Sequence, residues 1–261
     1  MHEFLKDKDS IVSWLKKHNI SNYHIKEDKY YHYAVDVFTD VDLTKKSLEF
    51  IPIKFSFVRG NFDCSHNNLS TLLGAPDKVG ENFYCMNNNL TSLFASPNTV
   101  VGQFVCSHNK IENLDHFPQH IGKCICLSHN ALDNLKGLFI ECVDGDFDIS
   151  HNNITSLENA PKFVNGVFNC AKNKIKSLTH MPQVIKFSFD ATSNEIESIY
   201  SHELPQILKG KIFLNQNPKL KALQTIRSCQ ALKQLLSACE EKSKINISIS
   251  IVDNLGHIVK I

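Results

Sequence analysis

Apolar and polar positions alternate in short bursts along most of this chain, and the bursts recur at a fixed period. Asn67, Asn88, Asn109, Asn130, Asn152, Asn173 and Asn194 follow one another at spacings of 21, 21, 21, 22, 21 and 21 residues. Ahead of each stands a pair of apolar residues separated by one position: Phe62 and Cys64, Phe83 and Cys85, Phe104 and Cys106, Ile125 and Leu127, Phe147 and Ile149, Phe168 and Cys170, Phe189 and Ala191. Period-two alternation predicts a short strand with one buried face. Two positions after each asparagine comes a Leu or Ile, from Leu69 to Ile196. A further leucine follows in most units: Leu72, Leu93, Leu114, Leu135, Leu157 and Leu178. Pro76, Pro97, Pro118, Pro161 and Pro182 close many of them. Each unit therefore predicts a strand, a polar turn and an apolar return.

Self-similarity at such a period is the mark of a solenoid, whose neighbouring units bury one continuous core. The slots match the leucine-rich repeat template L-x-L-x-x-N-x-L, with Phe and Cys in place of the first two leucines. Cysteine in that slot is a small buried hydrophobe. The asparagine side chain is suited to satisfying backbone groups of the turn that leaves the strand, and repetition would make it a ladder. A unit of 21 residues leaves too little chain for a full convex helix, and the prolines predict extended or polyproline segments there.

The period blurs at both ends. Val35, Val37 and Leu43 read as a degenerate first unit, and "KIFLNQNPKL" as a last one with Asn217 in the asparagine slot. Solenoid ends need covers. "SIVSWLKKHN" predicts a short amphipathic helix with Trp14 as its core anchor, and Leu220, Leu223, Ile226, Leu232, Leu235 and Leu236 predict a second helix. "INISISIVDNLGHIVKI" predicts a hairpin around Asp253–Gly256. The expected fold is an α/β solenoid of about eight leucine-rich repeats, with a parallel concave sheet and a helical N-terminal cap. The expected divisions are a cap over 1–50, repeats over 51–217 and a helix-plus-hairpin cap over 218–261.

Composition narrows the functions. Lys and Arg total 28 against 27 Asp and Glu, so no charge surplus points to nucleic acid or an anionic membrane. No apolar run reaches the roughly 20 residues that span a bilayer, and "MHEFLKDKDS" is polar where a signal peptide would be apolar. Nine cysteines, an odd number without paired metal-ligand spacing, suit a reducing compartment such as the cytoplasm. No phosphate-binding loop, nucleophile elbow, zinc-protease or dinucleotide signature occurs. The reading is thus non-catalytic, without metal or cofactor: a monomer that binds a protein partner.

Residues between the core positions point to the opposite side of each strand. That register turns outward Asn61, Asp63, Ser65 and His66, then Asn82, Tyr84, Met86 and Asn87, then Gln103, Val105, Ser107 and His108. Cys124, Cys126, Ser128 and His129 follow, then Asp146, Asp148, Ser150 and His151. The expected partner contacts among these are Asp63, Tyr84, Met86, Val105, His108, Cys126, His129, Asp146, Asp148 and His151. Two alternatives stay open. His66, His108, His129 and His151 share one column beside Cys124 and Cys126, with Asp146 and Asp148 on the next strand, and these are zinc-ligand types. Cys126 with His108 or His129 has the elements of a cysteine nucleophile and its base.

The units "GNFDCSHNNLSTLLGAP" and "ENFYCMNNNLTSL" resemble bacterial and phage leucine-rich repeat proteins built on a V-x-G-x-F-x-C-S-x-N-x-L-T-S-L-x-G-A-P theme. The lead-in "IVSWLKKHNISNYHI" is similar to theirs, and the likeness covers roughly residues 11–200. The wider group includes short-repeat effectors of the Legionella type and of enteric pathogens. That resemblance implies a protein-binding module translocated into a host cell without a cleavable signal peptide. There it would bind and restrain another effector or a host protein. "EEK" at Glu240–Lys242 and Val259, third from the end, are similar to Dot/Icm translocation signals.

Overall fold

The alternating bursts form strands of only two residues, each paired in parallel with the same burst of the next unit. The computed structural model describes residues 3–197, 205, 207–208, 210–218, 250–252 and 258–260. The chain is a parallel β-solenoid of about eight turns. It falls into two compact units, residues 1–130 and 131–261.

In the first unit one ladder stacks Val41–Asp42, Phe62–Asp63, Phe83–Tyr84, Phe104–Val105 and Ile125–Cys126 in that order. Its inward column holds Phe62, Phe83 and Phe104, all fully buried. Consecutive rings are near-parallel, 5.6 Å apart for Phe62 and Phe83 and 5.5 Å for Phe83 and Phe104, within the offset-stacked range. In the second unit Phe147–Asp148, Phe168–Asn169, Phe189–Asp190 and Ile212–Phe213 continue the pattern. There Phe147, Phe168 and Phe189 stack at 5.4 Å. The degenerate units expected at both ends are present: Val41 pairs with Phe62, and Ile212 with Phe189.

A second ladder runs through the back of each turn. In the first unit it joins Lys54–Val58, Lys78–Val79, Thr99–Val100 and His120–Ile121, and in the second Cys142–Val143, Phe163–Val164, Val184–Ile185 and Ile207–Leu208. The back segments expected to be extended are therefore also hydrogen-bonded to one another. Pro76 and Pro97 stand just ahead of these strands, where a missing N–H removes no ladder bond. Val58, Val79 and Val100 close the core from this side.

The repeated asparagine links the turns. Asn88 Oδ1 accepts the N–H of Leu69 in the preceding turn at 3.0 Å, while Nδ2 donates to Cys64 O, Cys85 O and Met86 O at 3.1, 3.2 and 3.3 Å. Asn109 and Asn130 repeat this in the first unit, and Asn173, Asn194 and Asn217 in the second. The expected ladder is thus formed.

The helix Lys8–Lys17 precedes the solenoid, capped by Asp7, whose Oδ1 accepts from Ser10 N at 2.8 Å. Ile11 and Leu15 are buried, and Trp14 lies against His18 and Phe55 at ring distances of 4.2 and 6.4 Å. An antiparallel hairpin, Tyr23–Asp28 with His32–Val37, leads into the back ladder. Ser250–Val252 pairs antiparallel with Ile258–Lys260, as the hairpin pattern predicts. The helix expected from Leu220 to Leu236 lies outside the described residues. Among the described residues no helix is long and apolar enough to cross a membrane.

Phe104→Ala removes a fully buried ring that ends one stack and meets Phe117 edge-on, and should cost about 3–5 kcal/mol in chemical denaturation. Asn88→Ala leaves the buried Leu69 N–H without its acceptor and should cost about 1–3 kcal/mol. Asn88→Asp should cost more at neutral pH, because its carboxylate would face the carbonyls that now accept from Nδ2. That facing raises its folded pKa above the unfolded value, so the deficit should shrink as pH falls toward 4.

Candidate functional site

Between the two buried residues of each Phe-ladder burst, one residue turns outward. In the first unit these form a row in strict register: Asp42, Asp63, Tyr84, Val105 and Cys126. In the second the row is Asp148, Asn169, Asp190 and Phe213. Where the residue is Asp or Asn, it closes a turn on the backbone two positions on. Asp42 Oδ1 accepts from Thr44 N, Asp63 from Ser65 N, Asp148 from Ser150 N and Asp190 from Thr192 N, each at 2.9 Å, and Asn169 from Ala171 N at 3.1 Å. This is the Asx turn, which these short side chains favour. Tyr84 and Val105 interrupt the row with side chains that cannot make it, and at Cys126 a thiol replaces the carboxylate or amide.

The interruption gathers an apolar centre. The Tyr84 ring is half-buried, and its hydroxyl pKa is pushed up first by burial and then by the charge of Asp63. Met86 is half-buried two residues on, and Cys126 Sγ lies 3.3 Å from Ser128 Oγ. Val105, expected as a contact, is only 8 % exposed. It sits in register between Tyr84, whose side chain is larger, and Cys126, and forms the floor of the patch.

Other expected contacts have backbone duties. Asp146 Oδ1 accepts the Val167 N–H at 2.7 Å. It belongs to the column that in the first unit runs Asp40, Asn61 and Asn82, each accepting from the following turn. Asp146 and Asp148 are therefore ladder and turn groups before they are binding groups. Ser65, Ser107, Ser128 and Ser150, expected outward, are buried. The strand ends before them, and neighbouring turns cover so short a side chain.

The histidine column has a conformational origin. His66, His108 and His129 have φ of 57°, 55° and 55°, and His151 in the second unit 54°. Every turn passes through this left-handed position just before its asparagine, where His and Asn are enriched. The His108 and His129 rings stack 4.0 Å apart at 12°. His151 Nδ1 lies 3.4 Å from Ser150 Oγ. Among the described residues no group of three His, Cys, Asp or Glu side chains is placed to hold a metal ion.

The sequence reading missed two features. Cys142 is an exposed thiol on the back ladder, where no period-two pattern marked it. An open groove of about 610 Å³ on the outer side of the first unit's back ladder is lined by Phe38, Phe57, Arg59, Lys78, Glu81 and Val101 among others. Its signal was the apolar Val101 in a slot that neighbouring turns fill with glycine, as Gly80 and Gly122.

No protein-family model, curated protein or solved structure matches this chain. The reading of the site therefore rests on its own geometry and chemistry.

Native-state alkylation should leave Cys64, Cys85, Cys106 and Cys170 unmodified, since all four are fully buried, while Cys124, Cys126 and Cys142 react. Burial and the neighbouring Asp144 carboxylate push the Cys142 thiol up, which lowers its reactive thiolate fraction near pH 8. Asp144→Asn removes one of these causes and should speed labelling at Cys142 alone, read by peptide mass spectrometry.

Proposed function

We propose that the chain is a non-catalytic recognition module of the leucine-rich-repeat type, which holds a folded protein partner on the outward face of the first unit's Phe ladder. The observation that carries this is the interruption of the Asx row. At Tyr84, Val105 and Cys126 the Asp or Asn that supports the local turn at positions 42, 63, 148, 169 and 190 is absent, and a half-exposed aromatic and apolar centre stands instead. Around it lie Asp63 and the His108–His129 pair. An apolar centre with a polar rim is the anatomy of a protein interface. Tyrosine is a frequent energetic anchor in such interfaces, being large, rigid and amphipathic.

In this reading the helix Lys8–Lys17 is the N-terminal cap. A partner that is an enzyme would be inhibited by occlusion alone. The resemblance to short-repeat bacterial effectors makes another effector or a host protein the class of partner, met in a host cytosol after translocation.

The test is paired capture from extracts of the producing organism and its host, followed by affinity measurement on the captured pair. Tyr84→Ala should raise Kd ten-fold or more, about 1.4 kcal/mol, with thermal unfolding unchanged. Lys78→Ala, on the back ladder, and Lys162→Ala, just ahead of the Phe163–Val164 strand, should change it little. A partner lost with the lysine changes and kept with Tyr84→Ala overturns the reading.

A further inference from the structure

The interrupted row also has a polarity. Asp42 and Asp63 are register neighbours at one end of it. Each spends Oδ1 on its own turn; Asp42 is exposed and Asp63 half-buried. Among the described residues the ion pairs are Lys26–Asp36, Lys54–Asp77 and Lys162–Glu141, so neither carboxylate is in one. The hydrogen bonds from Thr44 hold the Asp42 carboxyl below its ordinary range, with Lys46 a lesser influence. Beyond the two carboxylates come the Tyr84 ring, the recessed Val105 and Cys126. The row therefore reads negative, negative, aromatic, apolar floor.

Its spacing sets a ruler. Parallel strands lie about 4.8 Å apart, so Asp63 and Val105 are separated by two steps, about 10 Å. A polyproline II segment advances about 3.1 Å per residue with three residues per turn, so positions three apart lie on one side of it and cover about that distance.

We infer that the row is a recognition track for a polyproline II segment of the partner, which crosses the strands with a Lys or Arg over Asp42 and Asp63 and an aliphatic side chain three positions away over Tyr84 and Val105. This rests on the protein-binding reading above and names what that face selects. An acidic segment would meet two like charges. A wholly apolar one would bury the carboxylates without a partner, which is costly. A cation beside Tyr84 gains from the ring face as well.

The experiment pans a random twelve-residue peptide library, displayed on phage, against the full chain. Enriched peptides should carry a basic and an aliphatic residue three positions apart. The best of them, made synthetically, should lose at least ten-fold in affinity to the double variant Asp42→Asn with Asp63→Asn. That variant keeps the turns, because Asn169 makes the same bond in the same slot at 3.1 Å, and its unfolding should match the wild type. Absence of enrichment, enrichment without the spaced pair, or equal binding by the double variant overturns the inference. Peptides lost with Tyr84→Ala but indifferent to the asparagine changes overturn it while leaving the binding face standing. A captured partner indifferent to Tyr84→Ala removes both.

Discussion

A buried asparagine amide that bridges two turns is the interaction on which the rest of this molecule depends. Strands of two residues supply few backbone bonds, and a stack of them would hold its register weakly. The asparagine adds to each turn an acceptor for the preceding turn's N–H and donors for carbonyls of both turns. Buried polar groups are costly unless paired, so a shift of one residue would leave several of them unpaired at once. The 22-residue turn shows how strong that demand is. Asn152 Oδ1 still accepts from Leu132 N, but over 20 residues where the other internal turns span 19. The extra residue is pushed out between Gly137 and Cys142, where Phe139 stands 93 % exposed. The ladder keeps its register and a phenylalanine goes to water.

The same demand explains side chains that look chosen for chemistry. To aim its asparagine inward, each turn passes through a left-handed residue, and a second such residue follows near the proline. Gly74, Ala95 and His116 in the first unit, and Gly137, Asn159 and His180 in the second, fill that second position with φ between 63° and 98°. Alanine there costs about 1–2 kcal/mol relative to an ordinary conformation, which the packed turns outweigh. Histidine in both columns is a tolerable left-handed residue, and its recurrence needs no ligand.

The period, the inward columns and the asparagine ladder were legible because each rests on a residue type that repeats: Phe62, Phe83 and Phe104, or Asn67, Asn88 and Asn109. The candidate site was legible only in part. Tyr84 and Met86 stand where alternation puts them. Val105 and the serines do not, because alternation says which way a residue points and not how far its neighbours reach past it. The duties of Asp146 and Asp148 were hidden for a related reason. Their partners, Val167 N and Ser150 N, are backbone groups without any signature in the residue string. The back ladder was half legible, since the prolines marked extended chain and not its pairing.

On the binding reading proposed above, the outward residues serve folding at some positions and recognition at others. An aspartate that recurs at Asp42, Asp63, Asp148 and Asp190 with the same turn bond is accounted for by local structure. A tyrosine, a valine and a cysteine on three consecutive strands of that same row are not, because each gives up the turn bond and exposes or recesses apolar surface in its place. Selection for stability alone would restore the aspartate at all three. The break in the column, more than any single residue type, is therefore what supports the proposed placement of binding on this face. That break adjoins Asp42 and Asp63, two carboxylates that enter no ion pair among the described residues.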